Sequence, residues 1–262
     1  MHEFIDLTRY PLDRPDSAAF VELVRSARDE LDRTGMFNLP GFLKPKAIAR
    51  AVTEVTPVLA TASFRHARSH NIYFRKSIPG LGADHPALRS FDTVNHTICT
   101  DQLAGMVMRQ LYEWPAFAAF LAVTMEKPAL FTMDDPISGV NVMAYHAGEA
   151  LNWHFDRSEF TTTLLLQAPQ SGGAFEYRTA LRTDYDPNYD GVARLLAGQD
   201  PDARLLQVAP GTLNVFRGKN TAHRVTPVVG SVPRVISVFS YYDRPGVSFS
   251  DEERVGFYGR TG

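Results

Sequence analysis

The chain has 262 residues, of which 44% are hydrophobic and 21% charged, and its formal net charge is −2. These values are ordinary for a globular protein, and the near-neutral charge argues against a nucleic-acid-binding surface or an acidic tail. A single cysteine, Cys99, excludes an intrachain disulfide framework and favours a reducing compartment. Because neither a secretory signal nor an apolar run of membrane length is visible, we expect a cytoplasmic protein that contacts no membrane.

The first half of the chain is predicted to be mostly helical. Apolar residues repeat at helical spacing from Asp16 to Thr34 and again from Pro45 to about Leu59. A short strand is expected at Met36–Leu39. A third helical stretch runs from Asp101 to Val123, with a break at Pro115 because proline disrupts a helix interior. Residues 1–135 are therefore expected to be helical support together with one long pocket loop.

That loop is the segment from residue 61 to residue 100, which is rich in Arg, His, Pro and Gly. Such composition is usual for a solvated loop. A structureless connection of this length is uncommon in a compact domain, however. We therefore predict that the segment forms a lid or a pocket wall.

From residue 136 onward the pattern changes to strands. Short β-branched or aromatic runs are separated by Gly or Pro turns, which is typical of an antiparallel sandwich or barrel. The predicted strands are Val140–Tyr145, Phe160–Gln167, Ala174–Tyr177, Leu213–Phe216 and Arg234–Tyr242. A polar insert at 178–204, with a short helix near Val192–Leu196, interrupts them. We expect one domain, 1–262, with its β core at 136–245.

His154, Asp156 and His223 are the candidate metal ligands. His154 and Asp156 are two residues apart, so on a strand both side chains would point to the same side of the sheet. His223 must come from a distant strand. Two imidazoles and one carboxylate on one face of a metal leave other positions open, which suits non-haem Fe(II) with a bidentate co-substrate and O2. Singly, each histidine is as easily an ordinary sheet or surface residue.

Tyr145 and Arg234 extend this pattern. Tyr145 lies nine residues before His154, and Arg234 follows His223 by eleven at the start of a predicted strand. A guanidinium there can form a two-pronged salt bridge with a carboxylate. The order Tyr, His-x-Asp, His, Arg resembles the Fe(II)/2-oxoglutarate-dependent oxygenases, especially their prolyl-hydroxylase-like branch.

The resemblance is narrower around the motif. The stretch 152–167, Asn-Trp-His-Phe-Asp-Arg-Ser-Glu-Phe-Thr-Thr-Thr-Leu-Leu-Leu-Gln, and the later Val-Phe-Ser-Tyr-Tyr at 238–242 are similar to a bacterial group of hydroxylases and halogenases that act on free amino acids. It covers residues 136–245 well and the helical N-terminus loosely. The resemblance implies a mainly β fold with N-terminal helices around a double-stranded β-helix core, also called a jelly roll or cupin-like core.

The resemblance also implies the cofactors and the roles of the site residues. His154, Asp156 and His223 would be the catalytic ligands of Fe(II), Arg234 and Tyr145 would contact 2-oxoglutarate, and O2 would be the oxidant. The implied reaction releases succinate and CO2 and places a hydroxyl on an unactivated C–H bond. Halogenases of the group replace the metal carboxylate with Gly or Ala to admit chloride. Asp156 therefore predicts hydroxylation, while desaturation and ring closure remain open.

A free amino acid or a similar small metabolite is the predicted substrate. A small zwitterion needs a cation for its carboxylate and acceptors for its amine. The candidates are Arg75 and Arg89 for the carboxylate, Asp134 and Asp135 for the amine, and Ser240 and Tyr258 for the pocket wall. Arg157 stands near a position where lysine-acting relatives tend to carry an acid. It therefore disfavours basic amino acids and allows an acidic or neutral one, unless it points into solvent.

Two other functions remain open from the sequence. A peptide or protein hydroxylase of the prolyl type would need an open groove, and the segments at 61–100 and 178–204 weigh against one. A non-catalytic, cupin-like metal sensor would bind iron without turnover. The simultaneous presence of the metal triad, Tyr145 and Arg234 argues against that loss of activity. A homodimer is also possible.

Overall fold

The computed structural model describes residues 1–262. Six α-helices are present: α1 Ala18–Thr34, α2 Pro45–Ala62, α3 Val107–Tyr112, α4 Pro115–Thr124, α5 Tyr189–Leu196 and α6 Asp251–Tyr258. Short 3-10 helices occupy Pro86–Leu88 and Thr100–Leu103. The strands are β1 Met36–Leu39, β2 Phe64–His70, β3 Phe91–Ile98, β4 Phe131–Thr132, β5 Val140–Tyr145, β6 Leu151–His154, β7 Thr161–Gln167, β8 Ser171–Gly172, β9 Phe175–Arg178, β10 Arg204–Leu206, β11 Leu213–Phe216, β12 Ala222–Val225, β13 Val228–Val229, β14 Arg234–Phe239 and β15 Tyr241–Tyr242.

The N-terminal helices form close to where the periodicity predicts them. The side chain of Ser17 accepts the N–H of Phe20 at the start of α1, and Gly35 ends this helix in the left-handed conformation at φ 77°. The third predicted helical stretch is divided into a 3-10 turn, α3 and α4. As expected, Pro115 marks a boundary, because it is the first residue of α4. No helix is both long and apolar enough to cross a lipid bilayer.

Two antiparallel sheets make up the β core. The larger one has the strand order β1-β11-β7-β14-β5-β3-β2, and the smaller one has the order β10-β9-β12-β6. Alternate residues of the larger sheet, such as Val142, Leu164 and Val235, lie in one hydrophobic core with the buried faces of α1 to α4. Strand alternation therefore turns the neighbouring residues Tyr145 and Arg234 to the opposite face of the sheet.

The segment at 61–100 differs from the predicted lid. Strands β2 and β3 pair in continuous antiparallel register from Phe64↔Thr97 to His70↔Phe91, and β3 joins β5 in the larger sheet. Only residues 71–90 form the connection. The predicted division at residue 135 also differs from the structure, because β1, β2 and β3 come from the N-terminal half and belong to the same sheet as the strands of the β core.

The insert and the C-terminal segment complete the fold. Within the 178–204 insert, α5 begins after Asn188, whose side chain accepts the N–H of Gly191. Strand β10 at the end of the insert pairs with β9 and so extends the smaller sheet. The C-terminal helix α6 begins after Ser250, the N-cap residue, which forms a reciprocal capping box with Glu253.

Candidate metal centre

The two candidate histidines lie side by side on neighbouring strands. His154 is the last residue of β6, and His223 lies on β12 directly opposite it in the antiparallel register. Their ring centroids are 4.0 Å apart. Asp156 lies beyond the end of β6, so the sequence interpretation that placed it on the same strand as His154 is wrong in that detail.

Asp156 nevertheless faces both imidazoles. Its Oδ1 lies 3.4 Å from Nε2 of His154, and its Oδ2 lies 3.4 Å from Nε2 of His223. One potential ligand atom from each residue lies within 4.8 Å of the others. The structure therefore brings together the three residues that the sequence selects.

Backbone contacts fix the orientation of both rings. Nδ1 of His154 is 2.8 Å from the carbonyl oxygen of Asn152, and Nδ1 of His223 is 3.0 Å from that of Thr221. Because a carbonyl can only accept, we assign the proton to Nδ1 in each ring. This tautomer leaves the Nε2 lone pairs directed at the point between the three side chains, which is what a metal-bound histidine requires.

The electrostatics of the centre favour the forms that bind metal. Burial lowers the pKa of His223 to about 4, with the neighbouring His154 acting in the same direction, so this imidazole is neutral near pH 7. Burial alone would raise the pKa of Asp156, but contacts with His223, His154 and Thr161 outweigh it and hold this pKa low. A neutral imidazole beside an ionised carboxylate is the donor state that a divalent cation needs.

Thr161 and Gly218 hold the carboxylate in place. The Thr161 hydroxyl donates a hydrogen bond to Oδ2 of Asp156 at 2.5 Å, and the Asp156 N–H donates to the Gly218 carbonyl at 3.2 Å. A Cβ atom at position 218 would lie 2.6 Å from Oδ2 of Asp156. Glycine is therefore required here for steric reasons rather than for an unusual backbone conformation.

A buried cation lies close to this centre. Arg234 is 4% exposed and pairs across the sheet with Tyr145, which is 1% exposed. Nε of Arg234 donates to the Gly173 carbonyl at 3.0 Å, whereas its Nη1 is buried without any hydrogen-bond partner. Burial lowers the pKa of Arg234 to about 10 and raises that of Tyr145 to about 12. An unpaired buried guanidinium donor fits a carboxylate of 2-oxoglutarate.

The other predicted substrate residues lie in different surroundings. Arg75 and Arg89 are exposed, and the Arg89 guanidinium lies over the Phe91 ring at 5.4 Å. Arg157 is also exposed, and its Nη1 donates to Oε1 of Glu253 at 2.9 Å. The alternative that Arg157 points into solvent is thus the one that the structure favours.

Asp135 has a structural environment that accounts for its charge. Its carboxylate accepts the N–H groups of Ile137, Ser138 and Phe249 and forms an ion pair with Arg254 at 3.0 Å. Burial opposes this charge, but these donors outweigh it and hold the pKa of Asp135 low. The contacts tie the C-terminal segment to the core, and the structure does not favour the predicted contact with a substrate amine.

Three more predicted residues have contacts outside the triad. The Asp134 side chain is exposed, and its N–H donates to the Val247 carbonyl. Tyr258 packs in a small buried cluster with Cys99, and its hydroxyl donates to Asn141. The carbonyl of Ser240 accepts the hydroxyl of Tyr112. The predicted place of Tyr258 and Ser240 in the pocket wall stays a prediction.

Sequence reasoning missed several residues around the centre. Phe74 lies 6.0 Å from the His154 ring, and Phe216 lies 4.8 Å from the His223 ring. The guanidinium of Arg68 lies over Phe74, and that of Arg182 lies over Phe155. Isolated arginines and aromatics give no spacing signal. Phe155 is the exception, because its place between His154 and Asp156 in the sequence could have indicated that residues around its ring lie near the metal centre.

A second group of possible ligands consists of His96 on β3 and of His146 and Glu149 in the β5–β6 turn. Glu149 contacts Nε2 of His96 at 3.1 Å and accepts the N–H of His146 at 2.8 Å. These contacts close the turn that follows Tyr145.

Comparison with known proteins places the chain in a family. Residues 21–248 match the family described as HalD, halogenase D. The chain belongs to the halogenase D family. A search of curated proteins finds no match.

Solved structures show which fold this family member has. The epimerase SnoN from nogalamycin biosynthesis is 16% identical, with 85% of this chain and 82% of SnoN covered at a TM-score of 0.57. AviO1 from Streptomyces viridochromogenes Tue57 is 15% identical, with 83% and 93% covered at 0.57. HygX from Streptomyces hygroscopicus, solved with nickel, 2-oxoglutarate and hygromycin B, is 13% identical, with 83% and 86% covered at 0.56.

These similarities confirm the fold prediction, a mainly β protein with N-terminal helices around a jelly-roll core. The predicted relation to the halogenase group is confirmed by the family match, and the chain has the fold of solved 2-oxoglutarate-dependent enzymes. The predicted cofactors, Fe(II), 2-oxoglutarate and O2, are those of this class of fold. The donor set of this halogenase D family member fits them.

Proposed function

We propose that this protein is an Fe(II)- and 2-oxoglutarate-dependent dioxygenase that hydroxylates a C–H bond of a free amino acid or a similar small metabolite. One arrangement supports the proposal most strongly. The ligand atoms of His154, Asp156 and His223 converge, and on the facing sheet Arg234 keeps one buried guanidinium nitrogen without a partner.

The protein's own residues hold and orient the reactants. His154, Asp156 and His223 would hold the iron, and Arg234 would hold the far carboxylate of 2-oxoglutarate, with Tyr145 beside it. The carbonyls of Asn152 and Thr221 prevent the imidazoles from rotating. Bound iron and 2-oxoglutarate supply the O2 activation that hydroxylation of an unactivated C–H bond requires.

Asp156 favours hydroxylation even though the family is named for a halogenase. A halide needs a free metal position, and in this chain the Asp156 carboxylate lies between the two Nε2 atoms. Two neighbours of the carboxylate support this proposal, because Thr161 donates a hydrogen bond to it and Gly218 leaves the space that a Cβ atom would take from it. We therefore infer that oxygen, rather than chloride, is transferred to the substrate.

The test is turnover across a panel of free amino acids with Fe(II) and 2-oxoglutarate under air. We expect succinate release to rise with one class of amino acid, and mass spectrometry to show a product with one added oxygen. His223→Ala should abolish both signals, and chloride in the buffer should give no chlorinated product. Full activity of His223→Ala, or iron binding with no succinate under any condition, would refute the proposed dioxygenase.

A further inference from the structure

The arginines that are at least partly buried fall into two groups, those that form an ion pair with a carboxylate and those that do not. Ten arginines are at least partly buried. Seven of these form an ion pair with a carboxylate, namely Arg28, Arg109, Arg178, Arg217, Arg224, Arg254 and Arg260. The remaining three are Arg68, Arg182 and Arg234, and all three lie around the metal centre. Removing a guanidinium from water without a counter-ion is costly, so unpaired sites indicate where an anion binds.

Under the proposed function, a carboxylate of 2-oxoglutarate is the missing partner of Arg234. It does not account for the missing partner of Arg68. Arg68 makes no hydrogen bond within the protein, and its Nε is buried. Its guanidinium lies 4.4 Å above the ring of Phe74, which in turn lies 6.0 Å from the ring of His154. Burial lowers the pKa of Arg68, and the nearby Arg157 acts in the same direction. Arg157 is itself paired with Glu253, whereas no carboxylate lies within ion-pair distance of Arg68.

Arg182 also lies near the triad, next to the residue between two of its ligands. Its guanidinium is 3.9 Å from the ring centroid of Phe155, the residue between the two ligands His154 and Asp156. Nε of Arg182 donates to the Lys219 carbonyl at 2.8 Å, and its remaining nitrogens make no hydrogen bond with the protein. A guanidinium stacked on a ring with its terminal nitrogens free is held in position to bind a planar carboxylate.

Charge balance indicates what this pair of arginines would bind. In the loaded centre, the positive charges of Fe(II) and Arg234 equal the negative charges of Asp156 and 2-oxoglutarate. The positive charges of Arg68 and Arg182 remain. An acidic amino acid brings two carboxylates and so gives each of the two guanidiniums a partner, while its α-ammonium group adds one positive charge that these arginines do not bind.

We propose, on the basis of the proposed function, that the substrate of this site is an acidic amino acid, with Arg68 and Arg182 as its two carboxylate anchors. The two guanidiniums contact different aromatic rings, Phe74 and Phe155, and so provide two separate anchoring points. Neutral and basic amino acids would leave one of these cations without a partner.

Binding without turnover tests this directly. Protein loaded with Ni(II) and 2-oxoglutarate is titrated in a calorimeter with glutamate and aspartate, and with glutamine and asparagine as matched ligands that lack only the charge. We expect one acidic ligand to bind at least tenfold more tightly than its amide. Arg68→Gln and Arg182→Gln should each reduce that preference at least fivefold. Arg65→Gln, an exposed arginine on the same strand as Arg68, should leave it unchanged.

The outcomes separate this proposal from the proposed function. Failure of 2-oxoglutarate to bind the Ni(II) protein would overturn the proposed function, and the substrate assignment with it. Normal 2-oxoglutarate binding with no preference for the acid over the amide, including no binding of either, would overturn the acidic substrate alone. Thermal melts of the three variants identify any that do not fold. Arg68→Lys and Arg182→Lys, which keep the charge, should retain more of the preference than the glutamine variants.

Discussion

Replacing Arg234 with glutamine tests the co-substrate site in isolation. Glutamine can retain a hydrogen bond to the Gly173 carbonyl, but it removes the charge and the buried Nη1 donor that has no partner in the protein. Removing one partner of a buried, hydrogen-bonded charge pair costs about 2–5 kcal/mol. Because 1.4 kcal/mol corresponds to about tenfold in Kd, we expect the Kd for 2-oxoglutarate to rise at least about thirtyfold.

The same substitution should affect stability very differently. Without 2-oxoglutarate, the guanidinium of Arg234 is buried without a carboxylate partner, and burial lowers its pKa to about 10. Glutamine removes a desolvated cation, so the Tm of the unliganded variant should not fall appreciably. Arg224→Gln is the matched control. It breaks a 2.5 Å ion pair with Glu176 on the smaller sheet, so it should lower the Tm and leave 2-oxoglutarate binding intact.

Calorimetry of 2-oxoglutarate binding to the Ni(II) protein, paired with thermal unfolding, measures both quantities. Unchanged affinity in Arg234→Gln would refute the assignment of Arg234 to 2-oxoglutarate. Equal losses of affinity in Arg234→Gln and Arg224→Gln would show a general effect of lost arginines on the fold. Only a loss confined to Arg234→Gln supports the reasoning.

Three further substitutions have expected outcomes. Gly218→Ala should weaken Ni(II) binding in a calorimetric titration without unfolding the protein, because the new Cβ would lie 2.6 Å from Oδ2 of Asp156; unchanged metal affinity would contradict this. Asp156→Gly in the presence of chloride should abolish hydroxylation, and mass spectrometry of the products should show at most trace chlorination; full hydroxylation would exclude Asp156 as a ligand. Asp135→Asn should lower the free energy of unfolding at pH 7 by about 1–3 kcal/mol, measured by denaturant titration, because the backbone donors and Arg254 lose a charged acceptor, although Arg254 keeps its ion pair with Asp251. Since the folded-state pKa of Asp135 is lowered, its contribution is present above about pH 4 and is lost as the pH falls further, so the two proteins should converge in acid; a constant gap at all pH values would contradict this assignment.

The strands that the sequence predicts best are those with a continuous apolar pattern. Val140–Tyr145 and Leu213–Phe216 have the predicted bounds, because β-branched and aromatic residues there are buried against a core on one face and the site on the other. Strand β2 was missed for the opposite reason. Its sequence, Phe-Arg-His-Ala-Arg-Ser-His, lies at the edge of the larger sheet and buries only its last residue fully, so it gives no hydrophobic signal.

In the candidate site too, a physical reason separates the residues that could be predicted from the sequence from those that could not. The metal triad, Tyr145 and Arg234 could be predicted because ligand chemistry and strand spacing restrict them to recognisable positions. Arg68 and Arg182 could not, because their significance comes from the carboxylates that are missing around them, and a missing partner is a property of the folded chain. Asp135 is the opposite case. The sequence suggests an acid available to a substrate amine, but in the folded chain its carboxylate already accepts three backbone N–H groups.

The choice between oxygen and halide transfer depends on more than one side chain. Asp156 accepts a hydrogen bond from Thr161 and lies against Gly218, so two neighbours are adapted to its carboxylate. Removing the carboxylate alone would leave the Thr161 hydroxyl without its acceptor, at a cost of about 1–3 kcal/mol unless water or an anion replaces it. A chloride bound there could accept this hydrogen bond. Asp156→Gly, with Thr161 intact, should therefore bind halide more readily than the double variant Asp156→Gly with Thr161→Val. If the two variants bind halide equally in a bromide titration, Thr161 serves the carboxylate alone, and the site has no latent capacity for halide.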